Sequence, residues 1–314
     1  MKKEKCPKCI PQPPPVPEQA KHGGEAPGPQ PGTLWLSPNS MRLWTAPMLA
    51  ALERGNEGRK WHTLIDKVWS PRTLRLALET VAAKAGAPGL DGQTTEAVAK
   101  RADEEIAVIE RLLRESRYEP RAVRRVWIDK PGGKEKRPLG IPTVRDRIVR
   151  TAMLAILEPI FERDFAENSY GFRPGRSARQ AVDQVRQWLD EGELWVVDAD
   201  LKGYFDSIPQ DQLLAKVREK VADGRVLELL EKFLRQGVME SCKGWQPTES
   251  GTPQGAVISP LLANIYLDPL DHLMSKKADA RWCATRTTSS SCVAAKPKPR
   301  RLWPRCAPGW SKPD

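Results

Sequence analysis

The sequence predicts an α+β fold with a helical region ahead of it and unstructured ends. Between Ala122 and Leu267, strand-like and helix-like patterns interleave without a strict βαβ repeat, so a doubly wound parallel sheet is not expected. The two ends, residues 1–34 and 281–314, carry no hydrophobic period. The 314 residues suffice for a sizeable core. A formal net charge of +11 points to a polyanionic partner, since phosphates are the common counterpart of many Lys and Arg side chains.

Several classes drop out. No apolar run approaches the roughly 18 residues that span a bilayer, and no apolar h-region follows the basic start, so a cytoplasmic setting without membrane contact is expected. Of six cysteines, Cys6 and Cys9 form one CxxC, but no second pair follows at zinc-site spacing. Cys242, Cys283, Cys292 and Cys306 are scattered and read as free thiols.

Residues 1–34 are rich in Pro, Gly and Lys and cannot bury enough apolar surface to offset chain entropy, so a flexible arm is expected, with order from near Leu64. Ser70-Pro71 starts a helix carrying Leu74, Leu76, Leu78 and Val81. After a loop at Gly86–Gly92, Thr94 caps one longer helix with Val98, Ile106, Ile109 and Leu112 on a face. Val123–Ile128 and Arg137–Ile141 read as a hairpin, followed by a helix over about 145–165. Ser177 caps the next helix, with Ala181, Val182, Val185, Trp188 and Leu189 as its apolar positions. A short strand spans Leu194–Ala199, two helical stretches cover Leu213–Val221 and Val226–Leu234, and Ser259-Pro260 opens a last helix through Leu267.

The sharpest chemical signal is Val196-Val197-Asp198-Ala199-Asp200-Leu201-Lys202-Gly203-Tyr204-Phe205-Asp206. A hydrophobic strand ending in carboxylates is unusual, because buried carboxylates are costly unless paired or metal-bound. With a period of two, Asp198 and Asp200 share one face and Val197 and Ala199 the other. Such oxygens suit Mg²⁺, and phosphoryl transfer commonly uses two such ions about 3.5–4 Å apart. Taken alone, the same pattern also fits acidic residues at a solvated strand end. Arg124, Arg125, Lys130, Lys134, Lys136 and Arg137 crowd one hairpin; they suit phosphates or form a plain solvated surface. Arg173 and Arg176 flank a helix start, where guanidinium groups and free amides both suit a phosphate backbone. Gln254 sits on the tight turn Gly251-Thr252-Pro253-Gln254-Gly255.

In order, Lys130-Pro131, Arg137–Pro142, Asp146-Arg147, Ser169–Gly175, Asp200–Phe205 and Gly251–Leu267 resemble the fingers and palm blocks of group II intron reverse transcriptases. Ala87–Gly92 resembles that family's N-terminal extension. The resemblance covers about residues 61–275. It implies a right-hand polymerase with fingers and a partial ferredoxin-like palm. It divides the chain into a flexible arm (1–60), a helical extension of the fingers (61–120), an incomplete fingers and palm unit (121–275) and a disordered tail (276–314). It also implies Mg²⁺ as cofactor, intron RNA, RNA template and DNA primer as partners, and deoxynucleoside triphosphates as substrates. On that reading Asp200 is a catalytic metal ligand with the Leu201 carbonyl beside it. Phe205 lies under the incoming sugar, Lys130 and Arg137 hold the triphosphate, Gln254 contacts the nucleotide, and Arg124, Arg125, Arg173 and Arg176 bind nucleic acid.

One family feature is missing: no Tyr-Ala-Asp-Asp follows Met274. Codons for Trp282–Cys292 can nevertheless be chosen so that reading from the third base of the Trp codon gives Val-Arg-Tyr-Ala-Asp-Asp-Phe-Val-Val-Leu. The same shift runs on through Pro313 as a helix-forming segment. A frame change between about Lys276 and Arg281 is inferred, which makes the tail an out-of-frame product, the polymerase inactive and the Leu194–Ala199 strand short of its neighbour. Two other readings accompany this one. The chain is a residual intron-RNA-binding module or a non-functional remnant, or it is a retron-type or other bacterial reverse transcriptase, which the Gly89–Thr94 block disfavours.

Overall fold

A computed structural model describes residues 37–54, 60–129, 136–192, 195–201, 203–240, 244–252, 255–276, 280–285 and 290–295. Two short helices come first, α1 (Pro38–Leu43) and α2 (Ala46–Arg54). The Ser37 hydroxyl caps α1 and Pro38 occupies its first turn. This corrects the boundary expected for the flexible arm. Trp44 and Leu52 are buried, the Trp44 indole donates to the Ala155 carbonyl at 3.2 Å, and the Ser40 hydroxyl meets Glu158 at 3.0 Å. Two anchoring side chains and a buried hydroxyl hold 37–54 down despite the proline-rich lead.

Next come α3 (Ile65–Trp69) and α4 (Pro71–Ala83), the latter burying Leu74, Leu76, Leu78 and Val81 as expected. The single longer helix expected after Thr94 is instead α5 (Thr95–Lys100) and α6 (Ala102–Arg114). Arg101, at φ −116° and ψ 35°, breaks the helical run. Turning the axis there buries Leu113, with Leu112 only partly covered. The central helix is α7 (Val144–Glu162), capped by Thr143 and buried nearly all round, including Ile148, Val149, Met153, Ile156 and Ile160. Its burial also takes in Asp146, Arg150, Thr151, Glu158 and Glu162, and buried polar side chains of this kind need hydrogen-bond partners. Around it pack α10 (Gln210–Lys220), α11 (Gly224–Leu234) and α12 (Ser259–Ser275). Asp223 ties α11 to α3, its carboxylate accepting the amides of Leu64 at 2.6 Å, Ile65 at 2.8 Å and Arg225 at 3.1 Å.

Two sheets flank this helical layer. The first has the order β2–β1–β4–β5, from β1 (Val123–Asp129), β2 (Lys136–Ile141), β4 (Val238–Glu240) and β5 (Gly244–Gln246). The β1–β2 hairpin is antiparallel as expected, and β4 adds in parallel to β1. The second has the order β3–β7–β6, from β3 (Trp195–Asp200), β6 (Ala280–Ala284) and β7 (Ser290–Ala295). α12 covers one face, where Met274, Trp282 and Ala284 meet Val197 and Leu270. α8 (Ala178–Asp190), with its Ser177–Gln180 capping box, covers the other through Ala181, Trp188 and Cys283. Val182 and Leu189 of α8, expected on its apolar face, are exposed.

The second sheet overturns the expectation of a structureless tail for 280–284 and 290–295. β7 pairs with β3 along its whole length, from Trp195↔Ala295 to Asp200↔Ser290, so β3 has its neighbour. Trp282 and Cys283 are buried on opposite faces, and the Trp282 indole donates to Asp271 at 2.9 Å. A strand covered on both faces shows no alternation, which is why no period marks it in the sequence. Among the described residues, no helix is long and apolar enough to cross a membrane.

Candidate active site

The segments that carry the chemistry meet at the C-terminal end of β3. Beyond Asp200 the chain turns through Gly203 into the one-turn helix α9 (Tyr204–Ser207). The Tyr204 hydroxyl donates to the Ala263 carbonyl at 2.6 Å, pinning α9 to α12. The Gly251 turn is stitched to α9 from the other side. Thr252 N donates to Phe205 O at 2.7 Å, Gly251 N to Ile208 O at 2.8 Å, and the Ser250 hydroxyl to Asp206 O at 3.0 Å. Gly251 has φ +79°, and a Cβ there would lie 2.6 Å from the Phe205 carbonyl. Gly255, at φ +96°, would press a Cβ to 2.6 Å from the Gly140 carbonyl. Any side chain at either position strains both backbone and neighbour. Strand β2, the helix of Phe205 and the 251–255 turn are thus held in mutual contact by glycine.

The Ser169–Gly175 loop closes another side. Ser169 bridges to Ala284 of β6, and the Asn264 amide donates to the Gly171 carbonyl at 3.0 Å. Phe172 stands 47% exposed at φ 55°, its ring edge-on to Phe205 with centroids 6.2 Å apart. A bulky residue at positive φ is a strained position, a feature that clusters at functional sites. The sequence motif contained Phe172 but gave it no role; its backbone conformation is what singles it out.

Arg173 is a correction. Its guanidinium is buried and turned inward, donating to Glu162 at 2.9 Å and to the carbonyls of Ala166 at 2.7 Å and Ser169 at 2.9 Å, and lying over the Phe165 ring. These internal hydrogen bonds commit most of the Arg173 donors to shaping the loop and turn the side chain away from the surface expected for it. Arg176 is half-buried, donates to the Glu167 carbonyl and lies 5.4 Å from the Tyr170 ring centroid. Burial, then the Arg173 charge, lowers its pKa.

On the first sheet, Arg125 lies 4.0 Å from Glu240, and Arg124 is half-buried with a buried Nε that has no hydrogen-bond partner. The roots of this sheet are held by a buried network absent from the sequence reading. Asp146 accepts from the Tyr118 hydroxyl at 2.9 Å, from Arg121 N at 3.3 Å and from the Gln236 amide at 3.1 Å. Gln236 also donates to the Arg121 carbonyl and accepts from Arg150, whose guanidinium lies 4.6 Å from the Phe233 ring centroid. Burial holds Arg150 down to about 10 and raises Asp146 above the usual carboxylate range. Because residues 121 and 236 precede β1 and β4, the network fixes where both strands start. The Asp146-Arg147 pair was visible in the sequence, but its partners lie 25 to 90 residues away.

Lys130, Pro253 and Gln254 lie outside the described residues. For Arg137, Asp198 and Asp200 the backbone alone is described: Arg137 opposite Ile128, Asp198 opposite Cys292 and Asp200 opposite Ser290. Leu201 follows directly, half-buried. Two-ion chemistry needs several oxygen ligands. The residues across from Asp198 and Asp200 are not carboxylates, and among the described residues no three His, Cys, Asp or Glu gather.

The end of β3, the helix of Phe205, the Gly251 turn and strand β2 thus come together at one place. Comparison with known proteins narrows this. The family model for reverse transcriptase (RNA-dependent DNA polymerase) matches residues 128–292, more than half the chain. Protein YkfC of Escherichia coli K12 is 39% identical over 224 residues, covering 68% of this chain and 58% of YkfC. The group II intron-encoded protein LtrA of Lactococcus lactis subsp. cremoris is 43% identical over 171 residues, 54% of this chain and 28% of LtrA. A chain of a solved Cas6-RT-Cas1–Cas2 complex aligns over 74% of this chain and 38% of its own length, with TM-score 0.48 and 19% identity. The chain therefore spans a little over half of YkfC and about a quarter of LtrA. It belongs to the reverse transcriptase (RNA-dependent DNA polymerase) family.

Proposed function

We propose that this chain is the fingers and palm of a group II intron reverse transcriptase, binding intron RNA and template–primer, with an ion site left half-built by a change of reading frame. The first sheet and its helical layer are the fingers, and β3–β7–β6 with α8 and α12 is the ferredoxin-like palm. The observation that carries this is the convergence of Gly140, Phe205 and the Gly251 turn beside the end of β3. In that setting Asp200 and the Leu201 carbonyl are the ligands offered to Mg²⁺. Phe205 supports the sugar of a deoxynucleoside triphosphate and excludes a 2′-hydroxyl by size. Lys130 and Arg137 hold its triphosphate and Gln254 contacts the nucleotide. When bound, the metal would stabilise charge on the attacking and leaving oxygens.

The frame reading gains support from the sheet. In the shifted reading Tyr-Ala-Asp-Asp-Phe falls on positions 285–289, the connection between β6 and β7, and Val-Val-Leu falls on 290–292 within β7. Placing that motif beside Ser290, the cross-strand partner of Asp200, would bring the missing carboxylates to the end of the same sheet. In the present frame Ser290 and Ser291 stand in β7, and we infer that the chain binds RNA without extending a primer.

RNA affinity should fall steeply with salt, because each phosphate contact releases counterions. Arg124, Arg125 and Arg176 are the contacts proposed, and titrating a labelled RNA at several salt concentrations reads them. An affinity that stays flat from low to moderate salt would remove the phosphate-binding surface from this account.

A further inference from the structure

We propose that the row Arg124–Met239–Trp245 across the first sheet is a stacking track for single-stranded RNA, with an unpaired base on Trp245 and a phosphate at Arg124. This deepens the RNA-binding reading above and rests on it. The register sets Ile141, Arg124, Met239 and Trp245 side by side on one face, in successive strands β2, β1, β4 and β5. With strands about 4.8 Å apart, Arg124 and Trp245 are roughly 10 Å apart along the row, within reach of adjacent nucleotides on one strand.

Trp245 is 59% exposed, an unusual position for so large an apolar ring. It leans over Gly237, where a Cβ would lie 2.1 Å from the indole nitrogen, so the glycine makes room for the ring. A ring held against the sheet on one side and open on the other offers a face for stacking. Every base has a complementary face, but only an unpaired one can present it, which selects single strands over duplex.

The charge at Arg124 argues for a nucleic acid over an apolar partner. Its buried Nε lacks a hydrogen-bond partner. Arg147 is close enough for the Arg124 charge, after burial, to push its pKa down. Arg147 itself is committed to the Pro142 carbonyl at 3.1 Å and to the Ala87 carbonyl. An anion at the Arg124 guanidinium would relieve the repulsion between the two guanidinium groups. The face is also continuous with the candidate active site. Leu139 pairs with Val126, two residues along from Arg124, and its side chain lies 2.9 Å from where a Cβ on Gly255 would stand.

The test uses the whole chain with two fluorescent probes, an oligouridylate and an RNA duplex of equal length, with circular dichroism to check folding. Trp245→Ala should weaken oligouridylate binding by about tenfold, the effect of losing one stacked base, and leave duplex binding unchanged. Trp245→Phe should recover most of the loss. Arg124→Gln should reduce the salt slope on oligouridylate by about one. A folded Trp245→Ala chain that binds oligouridylate as the parent does overturns the track while leaving RNA binding intact. Equal loss on both probes overturns it too, because the single-strand preference is then absent. If the substitution instead abolishes self-association and leaves oligouridylate binding unchanged, the face is an interface between copies and the proposal is wrong. A parent chain that binds neither probe removes the RNA-binding reading and the track with it.

Discussion

Replacing Arg173 with alanine is expected to cost about 3–5 kcal/mol of folding stability, enough to unfold much of a marginal chain. The side chain is nearly inaccessible, as is its partner Glu162. Burial already pushes the Glu162 carboxyl up, and the Arg173 hydrogen bond and charge are what restrain it. Removing the guanidinium leaves an uncompensated buried carboxylate and strips donors from the Ala166 and Ser169 carbonyls. The double variant Arg173→Met with Glu162→Leu should lose less, because it removes the stranded charge. Urea unfolding of the single and double variants reads the difference. If Arg173→Ala unfolds at the parent midpoint while RNA affinity drops, the side chain is a nucleic-acid contact after all.

The second large effect concerns Asp200. In a chain carrying the shifted frame through its downstream sequence, primer extension on an RNA template with Mg²⁺ should appear, and Asp200→Ala should abolish it. Asp198 lies two residues back on the same strand, about 6.6 Å away at strand spacing, too far to take over the same metal position. Wild-type extension by the Asp200→Ala chain would show that the metal site had been assigned to the wrong carboxylate.

What the sequence revealed, and what it hid, follows from how far apart the cooperating residues lie. Pro71 in the first turn and the Ser177 capping box announced their helices because both signals are local, and the β1–β2 hairpin is a contiguous pattern. The meeting of Gly255 with Gly140 and of Gly251 with Phe205 was not legible in the sequence, because no local period encodes it. β4 and β5, three residues each, are too short to show alternation, and they exist because β1 offers an edge. α1 and α2 were hidden by flanking prolines, although Trp44 and Leu52 carry the packing. Arg173 misled because an arginine before a helix start looks the same whether it faces phosphate or a buried glutamate. The choice is made by Glu162, eleven residues back on another helix. The Asp146–Gln236–Arg150 network was out of reach for the same reason.

The central claim is that β3 brings its carboxylate to a palm whose second carboxylate source is missing in the present frame. The most direct measurement is template-dependent primer extension with Mg²⁺, run side by side on the purified 314-residue chain and on the frame-shifted chain. The account predicts no extension by the first and clear extension by the second, with both binding the template. Extension by the homogeneous 314-residue chain, or none by a folded, template-bound frame-shifted chain, would contradict it.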